Sequence, residues 1–108
     1  MNMQELIARS EAAADLMALL ANPQRLRILC ALLDGERSVS SLEAVVDLSQ
    51  SALSQHLKRL REAGIVSTRR EAQSIFYSLA DARTVRVMEV LAELFCQSGK
   101  ASAKRQRR

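Results

Sequence analysis

Apolar side chains recur along this chain at two different spacings, and the switches between them divide it into elements. Leu6, Ala12, Ala13, Leu16, Met17, Leu19 and Leu20 share one face of a helix over residues 3–20. Asn22-Pro23 then supplies an N-cap followed by proline in the first turn, so the chain restarts as a second helix. That helix runs to about Leu33, and Asp34-Gly35 ends it. Ser40 or Ser41 is placed to cap a short third helix through Val46, and Ser49 to cap a fourth that Gly64 terminates. The period then changes: IVSTRR and SIFYSL read as strands, joined by Glu71-Ala72-Gln73 as a short hairpin connection. Asp81 caps a last helix to about Gln97, and the tail beyond Ser98 is expected to be disordered.

The order α-α-α-α-β-β-α, mainly helical with one β-hairpin, is the outline of a winged helix-turn-helix. The fourth helix carries the strongest signal. At about 100° per residue, Leu53, Leu57 and Leu60 form a narrow inward stripe. Opposite lie Ser51, Gln55, Lys58 and Glu62, with Ser54 and Arg59 on the flanks and Gln50 at the start. Short hydroxyls and amides near a helix N-terminus suit base edges and phosphates, and Lys and Arg further along suit the DNA backbone. The only histidine, His56, sits beside the leucine stripe, where a hydrogen-bonded role or a phosphate contact fits better than base reading. At the hairpin, Arg69, Arg70 and Gln73 lie at or near the tip, placed to contact phosphates or enter a minor groove.

Charge sharpens this picture. The 108 residues carry a formal net charge of +4, but Lys100, Lys104, Arg105, Arg107 and Arg108 in the tail account for five of the sixteen basic residues. Residues 1–97 hold eleven basic and twelve acidic side chains, a net of −1. Attraction to nucleic acid must therefore be local. Between Lys58 and Arg70 five basic residues (Lys58, Arg59, Arg61, Arg69, Arg70) meet one acid, Glu62. A charged stretch of this kind is usually only a solvated face. Its position on the fourth helix and the wing argues for double-stranded DNA.

The last helix is apolar on two sides, with Val85, Met88, Ala92 and Phe95 on one and Val87, Val90 and Leu94 on the other. One side packs on its own subunit, and the second calls for another chain. With the first helix it is expected to form a homodimer, which places two reading heads on a palindromic operator. Residues 1–97 then make one DNA-binding and dimerising domain, close to the usual domain size. Apolar runs fall well short of the ~20 residues that span a bilayer. The N-terminus lacks the basic-then-apolar order of a secretory signal, so a cytoplasmic location is expected.

Candidate chemistry is sparse. One histidine excludes His-based zinc sites and makes a hydrolytic triad implausible, so neither metal, cofactor nor enzyme activity is expected. The two cysteines are Cys30 and Cys96. By periodicity Cys30 shares a stripe with Leu26, Leu29 and Leu33 and reads as core filler, whereas Cys96 lies at the border of an apolar stripe. They form no Cys-x-x-Cys motif, so a thioredoxin-like enzyme is poorly supported.

The run LSQSALSQHLKRLREAGIVSTRREAQSIFYSL, together with ANPQRLRILCALL, resembles the ArsR/SmtB family of small bacterial repressors over residues 5–97. The resemblance implies a dimeric winged-helix repressor that leaves DNA when an inducer binds. Arsenic-responsive members carry Cys-Val-Cys where this chain has Ser38-Val39-Ser40, and serines cannot replace thiolates for a soft metal. Zinc-responsive members place Asp and His along the last helix, where this chain has Asp81 and Arg83 and no histidine follows. The pair Cys30 and Cys96, with RREAQ at the wing, is similar to the dithiol branch that responds to persulfides and polysulfides, which includes sulfide-responsive and biofilm-growth repressors and haemolysin regulators. That branch implies reduced thiols on DNA and release when sulfur links the two cysteines of one subunit.

Two other readings compete. The same thiols would serve a general peroxide or disulfide sensor. A metal-independent DNA-binding regulator with inert cysteines is the second, and the basic tail suits its electrostatic binding.

Overall fold

Caps and turns set the boundaries of the elements. The computed structural model describes residues 2–96, so Gln97 and the tail lie outside the described residues. The order is α1 (Met3–Ala8), α2 (Ser10–Leu20), α3 (Pro23–Leu33), β1 (Arg37–Ser38), α4 (Val39–Val46), α5 (Gln50–Glu62), β2 (Val66–Glu71), β3 (Ser74–Leu79) and α6 (Ala82–Phe95). Asn22 caps α3 by accepting from the Gln24 and Arg25 amides at 2.9 and 3.0 Å, with Pro23 in the first turn. Ser49 caps α5 through the Ala52 amide. Each such cap contributes about 1 kcal/mol. At the other end of α5, the Gly64 amide bonds to the Arg61 carbonyl and the Ile65 amide to the Leu60 carbonyl. This Schellman closure needs the left-handed Gly64 (φ +78°), and Ile65 packs into the core beside Leu60.

The core confirms the leucine stripe: Leu53, Leu57 and Leu60 are buried together with Ile28, Leu29, Leu32, Leu42 and Met88. Among the described residues no single helix is long and apolar enough to cross a membrane. The three-residue turn Asp47-Leu48-Ser49 between α4 and α5 completes the helix-turn-helix, with Asp47 left-handed at φ +52°. The hairpin β2–β3 is the wing, and the architecture is a winged helix-turn-helix.

Several boundaries differ from the sequence reading. The expected helix 3–20 breaks at Arg9 (φ −109°, ψ 20°) into α1 and α2. The Ser10 hydroxyl donates back to the Leu6 carbonyl, and α1 buries nothing that would hold it on one axis. Ser38, not Ser40 or Ser41, caps α4 by accepting from the Ser41 amide, while Arg37 donates to the Ser41 hydroxyl. The sheet has three strands in the order β1-β3-β2, because Arg37 and Ser38 pair with Tyr77 and Phe76. Glu71 extends β2 opposite Ser74, leaving Ala72-Gln73 as the turn, with Ala72 at φ +58°.

The last helix ends at Phe95, and Cys96 is its C-cap in extended conformation. Asp81 stands at the N-cap position, but its carboxylate accepts from the Thr84 hydroxyl (2.8 Å) and Arg83 Nε (3.1 Å) instead of a backbone amide. The inward face of α6 is also rotated from the expected stripe. Thr84 and Met88 are buried and Leu91 packs on the core, whereas Phe95 is 79% exposed. Thr84 takes the inward position because Asp81 satisfies its hydroxyl.

Candidate functional site

The outward face of α5 is open. Gln50, Ser51, Ser54, Gln55, Lys58 and Arg59 are all exposed, and the first turn of the helix holds no acid. An uncompensated helix N-terminus favours phosphate. Gln50 and the wing-tip Gln73 line one cleft of about 330 Å³, together with Ser40 and Glu43 of α4. Further along α5, Gln55, His56, Lys58 and Arg59 line a second hollow of about 410 Å³. Arg25 of α3 joins them there, a residue that the helical pattern of α3 did not single out.

His56 is half-buried, with Nε2 3.0 Å from Gln24 Oε1. Burial, and then the nearby charges of Arg25 and Arg59, lower its pKa below the ordinary 6.5. The imidazole is therefore held in its neutral form. Lys58 lies 3.9 Å from Glu62 along the helix.

The two wing arginines have different surroundings. Arg69 donates Nε and Nη2 to the two carboxylate oxygens of Glu36 (2.9 and 2.8 Å) and Nη1 to Glu71 (2.8 Å). Its guanidinium also lies 4.7 Å from the Phe76 ring centre. Both carboxylate hydrogen bonds raise the Arg69 pKa, and Arg69 in turn lowers that of Glu36. Arg70 is exposed on the other face of the strand and makes no ion pair among the described residues. Arg70 thus remains open to a phosphate, while Arg69 is occupied within the protein. Glu36 was invisible as a wing residue because it lies far from Arg69 in sequence.

A second site lies between α3 and α6. Cys30 and Cys96 are free thiols, both exposed, and they line one apolar groove of about 340 Å³. Leu26, Met88, Leu91, Ala92 and Phe95 form the rest of its wall. Cys30 is thus not core filler as its periodicity implied. Its neighbours on the stripe, Leu26 and Leu33, are only partly buried, and the groove leaves the sulfur accessible. Burial pushes the Cys30 thiol above its usual range, and the charge of Cys96 pushes it the same way. The second effect requires the two sulfurs to be neighbours, since a thiolate opposes another only at short range.

The metal sites of related regulators do not fit this chain. Ser38 and Ser40 offer hydroxyls that are 3.3 Å apart, with Ser38 committed to its cap. Among the described residues, no three His, Cys, Asp or Glu side chains gather as a metal site.

Comparison with known proteins agrees with this architecture. Residues 22–68 match the family described as bacterial regulatory protein, arsR family. The chain is 49% identical to the transcriptional activator HlyU of Vibrio cholerae over 98 residues, 91% of each chain. The solved structure of reduced HlyU from the same organism superimposes with a TM-score of 0.82 at 48% identity, covering 88% of this chain and all of that one. The crystal structure of the transcriptional repressor BigR from Xylella fastidiosa gives a TM-score of 0.86 at 39% identity, covering 91% of this chain and all of that one. With the reading helix, wing and core all in place, the chain belongs to the arsR family of bacterial regulatory proteins, which regulate transcription by binding DNA.

Proposed function

We propose that this protein is a dimeric transcriptional repressor that binds palindromic operator DNA while Cys30 and Cys96 are reduced, and leaves it when reactive sulfur links them. The observation that carries this reading is the shared groove: two exposed thiols from different helices line one apolar hollow. Residues 1–97 act as the binding and dimerising domain. Exposed Met3, Leu6, Ile7, Met17, Leu94 and Phe95 lie on α1, α2 and α6, the elements expected to meet a second copy. Base and phosphate contacts fall to Gln50, Ser51, Ser54, Gln55, His56, Lys58, Arg59, Arg70 and Gln73, and Arg69 sets the wing that presents them.

The chemistry balances with a polysulfide RS–Sn–SR as oxidant. Burial disfavours the Cys30 thiolate, so Cys96 attacks first, forming a sulfur–sulfur bond and expelling RS⁻. The Cys30 thiolate then attacks the far end of the bound sulfur chain and expels the second RS⁻. The two thiols lose two electrons and two protons, and the polysulfide becomes two RSH. The link fixes α3, which supports α5, against α6 of the dimer core and so alters the spacing of the two reading heads.

The test uses operator DNA selected by the reduced protein from a random library, with binding measured before and after an organic tetrasulfide, diamide, hydrogen peroxide or zinc. Tetrasulfide is expected to release the DNA with a mass gain of whole sulfur atoms. Cys30→Ser and Cys96→Ser proteins are expected to bind and to ignore it. Normal release from either variant, or release by zinc alone, overturns the dithiol mechanism. Release by peroxide without added sulfur would instead favour the general oxidant sensor.

A further inference from the structure

The hollow beside His56 holds more positive charge than the protein itself neutralises. Arg25, Lys58 and Arg59 line it against a single acid, Glu62, which lies beside Lys58. Arg25 is fixed in place by neutral partners: Nε donates to the Leu19 carbonyl and Nη2 to the Ala18 carbonyl at 3.3 Å. These bonds close the C-terminal end of α2 and orient the guanidinium, but they leave its charge uncompensated. Neither Arg25 nor Arg59 has a carboxylate partner among the described residues. Keeping two guanidinium groups close without a counter-ion is unfavourable, and an anion placed between them relieves the repulsion.

We propose that Arg25, His56 and Arg59 form a clamp for one phosphate of the DNA backbone, with α3 rather than the reading helix supplying its anchored cation. The proposal rests on DNA binding by the winged helix and is independent of the thiol chemistry. A phosphodiester fits better than a free metabolite because the hollow opens along α5, whose outward face carries the other DNA-directed side chains.

His56 gives the clamp a second property. The charged groups lining the hollow with it are Arg25 from α3 and Lys58, Arg59 and Glu62 from α5, and Gln24 accepts its hydrogen bond. With Nε2–H donating to Gln24 Oε1, the lone pair is on Nδ1. Burial and the two arginines keep that nitrogen unprotonated in the free protein. A bound phosphate offsets the arginine charges, so Nδ1 takes up a proton as DNA binds. Affinity therefore rises as pH falls below the His56 pKa of the complex.

The experiment uses the reduced full-length protein, random-sequence duplex DNA and no sulfur donor, so its outcome is separable from that of the sensing reading. Affinity is measured across a salt series for the parent, Arg25→Lys and Arg25→Gln proteins. Losing one phosphate contact lowers the slope of log affinity against log salt by about 0.9, and Arg25→Gln is expected to do so. Arg25→Lys keeps the charge and should retain most of the slope. A folded Arg25→Gln protein with the parental slope overturns the proposal.

His56 is the only histidine, so its ring NMR signals report this site alone. In the parent protein its pKa is expected to rise on adding duplex. No rise, or an equal rise with inorganic phosphate alone, overturns the clamp even if Arg25→Gln fails to fold.

Discussion

Arg69 holds Glu36 through two parallel hydrogen bonds of 2.9 and 2.8 Å, and this pair ties the wing to the loop that precedes β1. A bidentate guanidinium–carboxylate pair fixes geometry as well as charge. The wing is thereby presented by one arginine and, on the opposite face, armed by the next.

That division of labour predicts different phenotypes for adjacent residues. Arg69→Gln and Glu36→Gln are each expected to lower the thermal unfolding midpoint, and the double variant to lower it little further. Arg70→Gln should leave the midpoint unchanged and reduce the salt slope of DNA binding by about 0.9. Equal unfolding effects at both arginines would contradict the arrangement. The Glu36 carboxyl is held below its usual 4.5, so the pair's contribution is present above that pH and is lost as pH falls through the lower folded value.

Thr84 is 0% exposed, and its hydroxyl donates to Asp81 at 2.8 Å. Thr84→Val keeps the shape and removes the donor, at an expected cost of about 1–3 kcal/mol near neutral pH in urea unfolding. Burial opposes the Asp81 charge, but hydrogen bonds from Arg83 and Thr84 outweigh it and hold the pKa below 3.8. The stabilisation is therefore present above pH 3.8 and lost as pH drops through the folded value. The gap between parent and variant should shrink in acid, and a gap constant with pH would refute this account.

Ala92 forms part of the groove wall between the thiols. Ala92→Phe places a ring in the hollow and is expected to slow tetrasulfide linkage, measured by intact mass over time, while DNA binding of the reduced protein persists. Unchanged linkage kinetics would show that sulfur does not approach through this groove.

His56 also leaves a mark on stability. Its folded pKa lies below 6.5, so the unfolded chain binds the proton more readily. Its contribution to stability is complete above 6.5 and declines as pH falls towards the folded value. His56→Gln should remove that component from the pH profile, as followed by urea midpoints between neutral and mildly acidic pH. An identical profile in the variant would exclude His56 as its source.

Local pattern alone determined much of this protein. The Leu53-Leu57-Leu60 stripe, the Asn22 and Ser49 caps and the Gly64 stop are properties of adjacent residues, and the order of helices and wing follows from them. The polar outer face of α5 was equally legible, because a helix fixes which of its residues point together. Tertiary structure decided what depends on residues distant in the chain. Periodicity placed Cys30 in the core, and only the crossing of α3 and α6 opens the groove that exposes it beside Cys96. Arg69 and Arg70 look alike in sequence, but strand alternation turns one towards Glu36 and leaves the other to solvent. Arg25 reaches the His56 hollow for the same reason. Helical period determines a direction from each axis, and packing determines what lies in that direction.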